Sequence, residues 1–403
     1  MEITEINFNL ISPKIIFGTG RIDELGSEIK SILKYKKIEN PLAFLVTGGS
    51  SLKKAGNLEQ IIKILEEKNI SKELYDKAIR EPTTHIINQG KEIVIEKKCD
   101  IIIGIGGGSV MDTAKGIAGL ATNGGIVEEY LAGKEFIQPA LPFILIPTTS
   151  GTGSEVTNNS VIKNKQTGLK KSIRGLWANL ALLDPELTLS LPKKYTAYSG
   201  ADALVQAIES LVSKSANFIS DFFARKSIEL LGENLPLVYD DLSNIGLREK
   251  MMLGSLLGAI SFANGKLGAV HGFAHPIGIK HDIAHGLICG LLLPHVMRFN
   301  IEIDTVVKAY SWIARLFHKQ KILTDHGSCS KVLPKELKGQ AEWAIEKLKD
   351  IFEYINIPLH LSDVGISKEH LNDIVKDTTG SSLENNPRET DKKQLMQILI
   401  NAL

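Results

Sequence analysis

With 403 residues, 43% of them hydrophobic and 23% charged, the chain is long enough for two domains with substantial cores and has the composition of an ordinary globular protein. Its 47 basic and 46 acidic residues leave a formal charge of +1 with no run of one sign, so a nucleic-acid surface has no electrostatic support. Three scattered cysteines exclude a disulfide framework or an all-thiolate metal site. Cys289, in an apolar stretch, reads as core, and a reducing cytoplasm fits.

The first residues, MEITEINFNL, lack a basic-then-apolar targeting signal. Residues 12–20 (SPKIIFGTG) predict a short strand and a glycine turn, and 21–33 a helix. Residues 42–46 (LAFLV) predict a buried strand running into Thr47-Gly48-Gly49-Ser50-Ser51. A helix over 57–68, a polar strand near 72–75 and a helix over 83–98 follow. Residues 100–105 (DIIIGI) predict a strand that turns through Gly106–Ser109 into a helix over 110–120. Another buried strand, 141–146 (LPFILI), ends at Pro147-Thr148-Thr149. Strands alternating with helices imply a parallel sheet with helices on both faces, and ligands of such sheets sit beyond the carboxyl ends of the strands. Around 183–192 (LDPELTLSLP) the texture changes, and the expected domains are 1–188 (α/β) and 189–403 (all-helical). Apolar residues then recur at helical spacing in 201–212, 219–231, 248–264, 305–317 and 341–354. The greasiest segment, 287–296 (LICGLLLPHV), is too short and interrupted to span a bilayer. Residues 381–388 (SSLENNPR) read as a polar loop before a last short helix.

Two groups of residues suggest chemistry. The glycines of Gly106–Ser109 allow a sharp turn, and the helix after them offers amide donors and a positive dipole end to a phosphate. The bland reading is a tight strand–helix turn, since Ser109 stands where the last glycine of G-x-G-x-x-G would be. In the second half, Asp202 and Gln206 are four residues apart, as are His271 and His275, so each pair lies on one helix face. Five histidines fall between His271 and His295. Imidazoles with a carboxylate suit zinc or ferrous iron, although any one of these histidines taken singly reads as a core residue.

At this point the sequence resembles the iron-containing (group III) alcohol dehydrogenases over nearly its whole length. The resemblance rests on FGTG (17–20), GGGSVMDTAK (106–115), PTTSGTGSEVT (147–157), LLDPELTLSLP (182–192), GADALVQAIESLVSKSAN (200–217), HGFAHPIG (271–278) and HGLICGLLLPHVMRFN (285–300). It implies a dehydroquinate-synthase-like architecture, with a dinucleotide-binding domain before an all-helical metal and substrate domain and a cleft between them. By resemblance, Gly107, Gly108 and Ser109 bind the cofactor pyrophosphate and Asp112 lies near the nicotinamide. Thr148, Thr149, Thr152 and Thr157 line the cofactor, and Lys170 contacts it. Relatives preferring NAD often have an acidic residue after the second strand. Gly48 stands there instead, with Ser50, Lys53 and Lys54 nearby, which favours NADP(H) over NAD(H).

The resemblance also implies one divalent metal, iron or zinc, on Asp202, His271, His285 and a fourth position that is histidine in relatives and Gln206 here. A neutral amide is a poorer donor than imidazole toward either ion. His275 matches a proton-relay histidine. The implied activity is hydride transfer between a nicotinamide cofactor and a small alcohol or aldehyde, in a cytoplasmic protein, homodimeric or larger, that pairs through residues 2–10. Two alternatives stay open. One is a metal-independent carbonyl reductase resembling maleylacetate reductase, the other a non-redox lyase resembling dehydroquinate synthase. Asn264, Phe273 and His281 are candidates to line the substrate pocket.

Overall fold

The computed structural model describes residues 12–36, 38–79, 81–164, 169–323, 327 and 329–403. Residues 2–10, the expected pairing segment, lie outside the described residues. The chain divides into two compact units. Of the described residues, one contains 12–149 and Gly153–Leu191; the other contains Ser150–Thr152 and Pro192–Leu403.

The first unit is built on strands β1 (Lys14–Phe17), β2 (Leu42–Gly48), β3 (Ser71–Ala78), β4 (Ile101–Gly106) and β5 (Phe143–Pro147). A hairpin of β6 (Ser160–Asn164) and β7 (Leu169–Ile173) is followed by β8 (Leu180–Leu183). The main sheet has the order β1-β8-β5-β4-β2-β3 and is parallel throughout, whereas β6 and β7 pair antiparallel. Its central strands are apolar on both faces, and successive residues feed different cores. Leu45, Ile103 and Ile144 pack under helices α1 (Leu25–Leu33) and α2 (Asn57–Glu67). Phe44, Ile102 and Phe143 pack under α3 (Thr84–Lys97) and α4 (Gly108–Asn123). Thr83 caps α3 by accepting the Ile86 amide at 3.4 Å.

The strand order places a topological switch between β2 and β4. The chain leaves β2 for β3 on one side and leaves β4 for β5 on the other. A crevice at such a point, beyond the strand ends, is where open α/β sheets bind their ligands. Val46 pairs with Gly104 and Thr47 with Ile105, so the turns after β2 and β4 emerge side by side.

The second unit is helical: α5 (Lys193–Val212), α6 (Phe218–Asp240), α7 (Ile245–Gly265), α8 (Ala269–His281), α9 (His285–Asn300), α10 (Asp304–Gln320), α11 (Leu337–Tyr354) and α12 (Lys392–Asn401). Its core includes Leu204, Ile208, Leu235, Phe273, Leu292 and Ile345, all buried. The segment 381–388, expected to be loop, contains a short helix, Ser381–Glu384. No helix among the described residues is long and apolar enough to cross a membrane.

Candidate active site

The dinucleotide end begins where β4 becomes α4. A Cβ on Gly106 would stand 2.6 Å from Val110 Cγ2, and one on Gly48 would stand 3.1 Å from the same methyl. A side chain at 106 would clash with Val110 and one at 48 would crowd it, so both turns meet Val110 with backbone alone. Gly107 is the N-cap of α4 with no capping side chain, so the helix presents its positive end with backbone alone. Thr148 N donates to Gly106 O at 3.0 Å, and Thr149 lies beside Gly107, both half-buried. After β2, Gly49 takes the left-handed φ of +46°, and Ser50 begins the short helix Ser51–Lys54, with Ser50, Lys53 and Lys54 exposed. These features fit a dinucleotide phosphate, and no carboxylate stands in the turn after β2.

Other predicted cofactor residues carry internal duties. Asp112 Oδ1 accepts from Ser154 Oγ at 2.6 Å and Oδ2 from Val161 N at 3.0 Å. The buried Lys115 ammonium donates to Ser154 Oγ (2.8 Å), Thr157 Oγ1 (3.3 Å) and Asn159 O (2.9 Å), and stands 3.7 Å from Asp112. Burial pushes Lys115 down to about 8, against the pull of Asp112, and raises Asp112 despite Lys115. Nearby, burial lifts the Glu155 carboxyl to about 7. Lys170 is ion-paired to Glu81 at 2.5 Å, and Glu81 also pairs with Lys163 at 2.9 Å. Thr152 belongs to the other unit, where neighbouring Gly151 abuts Ser199 so closely that a Cβ would stand 2.7 Å from the Ser199 Cβ. Sequence reasoning overlooked Lys115, although it lies inside the GGGSVMDTAK segment.

The helical unit brings Asp202 on α5, His271 on α8 and His285 on α9 together. His271 Nε2 lies 3.4 Å from Asp202 Oδ1, and His285 Nε2 lies 3.7 Å from it. The His271 ring is fixed from behind, where its Nδ1 lies 2.6 Å from Glu209 Oε2. With Nδ1–H donating to that carboxylate, Nε2 is the nitrogen that faces Asp202, and it offers a lone pair to a cation once its own proton is lost. Glu209 is itself held by the Val270 amide, which donates to Oε1 at 2.7 Å. Burial opposes an imidazolium at His271, but Cys289 and the Glu209 and Asp202 carboxylates outweigh it and raise its pKa well above the usual value. Burial would raise the Asp202 carboxyl too, yet His285 and His271 hold it below its ordinary range.

Asp202 Oδ1 and Gln206 Oε1 are buried without a hydrogen-bond partner among the described residues. A buried carboxylate oxygen facing two imidazole nitrogens, with a carboxylate behind one ring, fits a divalent cation. His275 is half-buried, with its ring 5.5 Å from that of His285. His281 meets His370 (4.7 Å between rings), and His295 Nε2 lies 2.9 Å from Leu359 O, so these two histidines serve local structure. Phe273, expected near substrate, is fully buried in the helical core.

Two further residues of this cluster escaped the sequence reading. Glu209 is three residues after Gln206, so Asp202, Gln206 and Glu209 share one face of α5, a spacing that carried the signal. Cys289, read as core, is indeed buried, but its Sγ stands 3.6 Å from His285 Nε2 and 3.9 Å from His271 Nε2.

Comparison with known proteins agrees with this geometry. Residues 12–185 match the family described as iron-containing alcohol dehydrogenase, and residues 196–403 its C-terminal region. The chain is 30% identical to NAD-dependent methanol dehydrogenase of Bacillus methanolicus, over 98% of this chain and 99% of that protein. It is 33% identical to 1,3-propanediol dehydrogenase of Citrobacter freundii over 98% of each. A crystal structure of 1,3-propanediol oxidoreductase superposes with a TM-score of 0.90 at 30% identity, over 99% of this chain and all of that one. The chain belongs to the iron-containing alcohol dehydrogenase family, and its reaction is nicotinamide-dependent hydride transfer between an alcohol and its carbonyl form.

Proposed function

We propose that the protein is a metal-dependent dehydrogenase of small alcohols that works mainly as an NADPH-linked aldehyde reductase. The observation that carries the metal is His271, oriented by Glu209 at 2.6 Å so that Nε2 faces Asp202 beside His285. When bound, the nicotinamide supplies the hydride and the divalent ion supplies Lewis acidity toward the substrate oxygen. Asp202, Gln206, His271 and His285 hold the ion. Gly107, Gly108 and Ser109 seat the pyrophosphate at the start of α4. Gly48 and Ser50, with Lys53 and Lys54, receive a 2′-phosphate that a carboxylate at the same place would repel.

Thr148, Thr149 and Thr152 line the cofactor with hydroxyls. Asp112, Thr157 and Lys115 act one step back by fixing the turn at Ser154, and Lys170 adds positive charge from the hairpin. In reduction, His275 delivers a proton to the substrate oxygen; in oxidation it receives one.

The test is metal analysis of the purified protein beside steady-state reduction of short-chain aldehydes with NADPH and NADH, before and after chelation. We expect kcat/KM at least about tenfold higher with NADPH, a difference of about 1.4 kcal/mol in transition-state binding. Activity is lost with the metal and returns with zinc or ferrous iron. Full activity in metal-free protein establishes the metal-independent reductase instead, and equal use of both cofactors overturns the assignment of the turn after β2.

A further inference from the structure

Cys289 follows His285 by four residues on α9, so the thiol and the imidazole lie one turn apart on one helix face. A tetrahedral ion about 2.1 Å from nitrogen or oxygen and about 2.3 Å from sulfur sets edges of about 3.4 Å between N and O and about 3.6 Å between N and S. The distances here are 3.4 and 3.7 Å from Asp202 Oδ1 to the Nε2 atoms of His271 and His285. From Cys289 Sγ to the Nε2 atoms of His285 and His271 they are 3.6 and 3.9 Å. The four donor atoms all lie within 4.8 Å of one another. A thiol kept only for packing meets carbon; this one meets two ring nitrogens beside a carboxylate oxygen that has no hydrogen-bond partner among the described residues.

We propose that Cys289 Sγ is a ligand of the divalent ion, completing a set with Asp202, His271 and His285 and standing in for the imidazole that Gln206 does not supply. The inference rests on the metal reading above. On binding, the Cys289 S–H bond is lost, its proton passes to solvent and a sulfur–metal bond forms, without change in oxidation state. A second anionic and softer donor changes what the site selects. Thiolate with imidazole and carboxylate favours zinc, whereas three imidazoles and a carboxylate would suit ferrous iron equally well. Gln206, one turn after Asp202 on the same face of α5, has a buried amide oxygen without a hydrogen-bond partner among the described residues and is left as an auxiliary neutral donor.

Titration of the metal-free full chain with Co(II) tests this by absorbance. The wild type should show a sulfur-to-cobalt charge-transfer band in the near ultraviolet, and Cys289→Ser and Cys289→Ala should bind cobalt without it. Zinc affinity, read against a competing chromophoric chelator, should fall at least about tenfold in both variants, the lower end of losses seen when a metal's surroundings are altered. Wild-type protein offered equal zinc and ferrous iron without oxygen should retain zinc. Cobalt bound without the band, or Cys289→Ser binding zinc as tightly as wild type, overturns the proposal while leaving the metal reading intact. A wild type that binds neither cobalt nor zinc sinks both. Should either variant prove unstable without metal, the wild-type band still decides.

Discussion

An imidazole presents Nε2 to a cation only when its other nitrogen is committed, and at His271 that commitment comes from Glu209. Glu209→Gln keeps an oxygen for the Val270 amide but removes the charge behind the ring. Metal affinity should fall about 10- to 100-fold, measured by chelator competition, with the thermal midpoint of metal-free protein little changed. Unchanged affinity would make Glu209 a packing residue. Glu155 permits a separate test in the other unit. Its folded pKa of about 7 lies above the ordinary 4.5, so the folded state holds a proton the unfolded state has lost between those values. The stabilisation is complete below pH 4.5 and is lost as pH rises through 7. A shift of this size amounts to about 3 kcal/mol, so Glu155→Gln should match wild type near pH 5 and exceed it by up to that amount at pH 8. Parallel stability curves for the two proteins would refute it. Both carboxylates sit inside segments that the sequence marks as family blocks. Their roles were not legible, because a role such as backing a ring at 2.6 Å depends on which helices the fold packs together.

Helices α5 and α9 carry Asp202 and His285, and a glycine contact sets their approach. A Cβ on Gly286 would stand 2.0 Å from Tyr198 O and 3.3 Å from Asp202 Cβ. The first of these is backbone and cannot rotate away, so Gly286→Ala must push the start of α9 off α5. We expect a loss of about 1–3 kcal/mol in stability together with weaker metal binding. Gly290→Ala one turn on is the comparison, since its Cβ would meet side-chain atoms and no backbone, Ile357 Cδ1 at 3.0 Å and Cγ2 at 3.2 Å, and should cost less. Equal effects in the two variants, by thermal melts and zinc titration, would discount the contact.

Elements were legible where burial marks the sequence, as an unbroken apolar run in a doubly covered strand or as a periodic stripe in a helix. The central strands appear as apolar runs, and the helices appear as stripes narrower than the helices themselves. Thus α6 extends to Asp240 through the buried Pro236, well beyond the periodic stretch at 219–231. The hairpin β6–β7 (SVIKN and LKKSI) and the four-residue β8 were not legible: two strands are mostly polar, and the third is too short to show a period.

Across the whole chain, the strand order that creates the crevice between β2 and β4 came only with the structure, since long-range pairing leaves no local mark in sequence. The units divide the chemistry between them. The glycine turns after β2 and β4 belong to the first, whereas Asp202, Gln206, His271, His285 and Cys289 all belong to the second. Whatever metal binding contributes to stability should therefore fall on the helical unit, where an ion held as proposed would tie α5, α8 and α9 through residues far apart in sequence. A ligand held at a hundred times its dissociation constant stabilises by about 2.7 kcal/mol, which for a unit of this size is a shift of roughly 5–10 °C. Exhaustive chelation should therefore lower the melting midpoint of the helical circular-dichroism signal by that amount, and added zinc should restore it in a concentration-dependent way. A midpoint indifferent to both treatments would mean that the Asp202–His271–His285 cluster holds no ion, and the reduction would then rest on His271 and His275 as proton and hydrogen-bond donors alone.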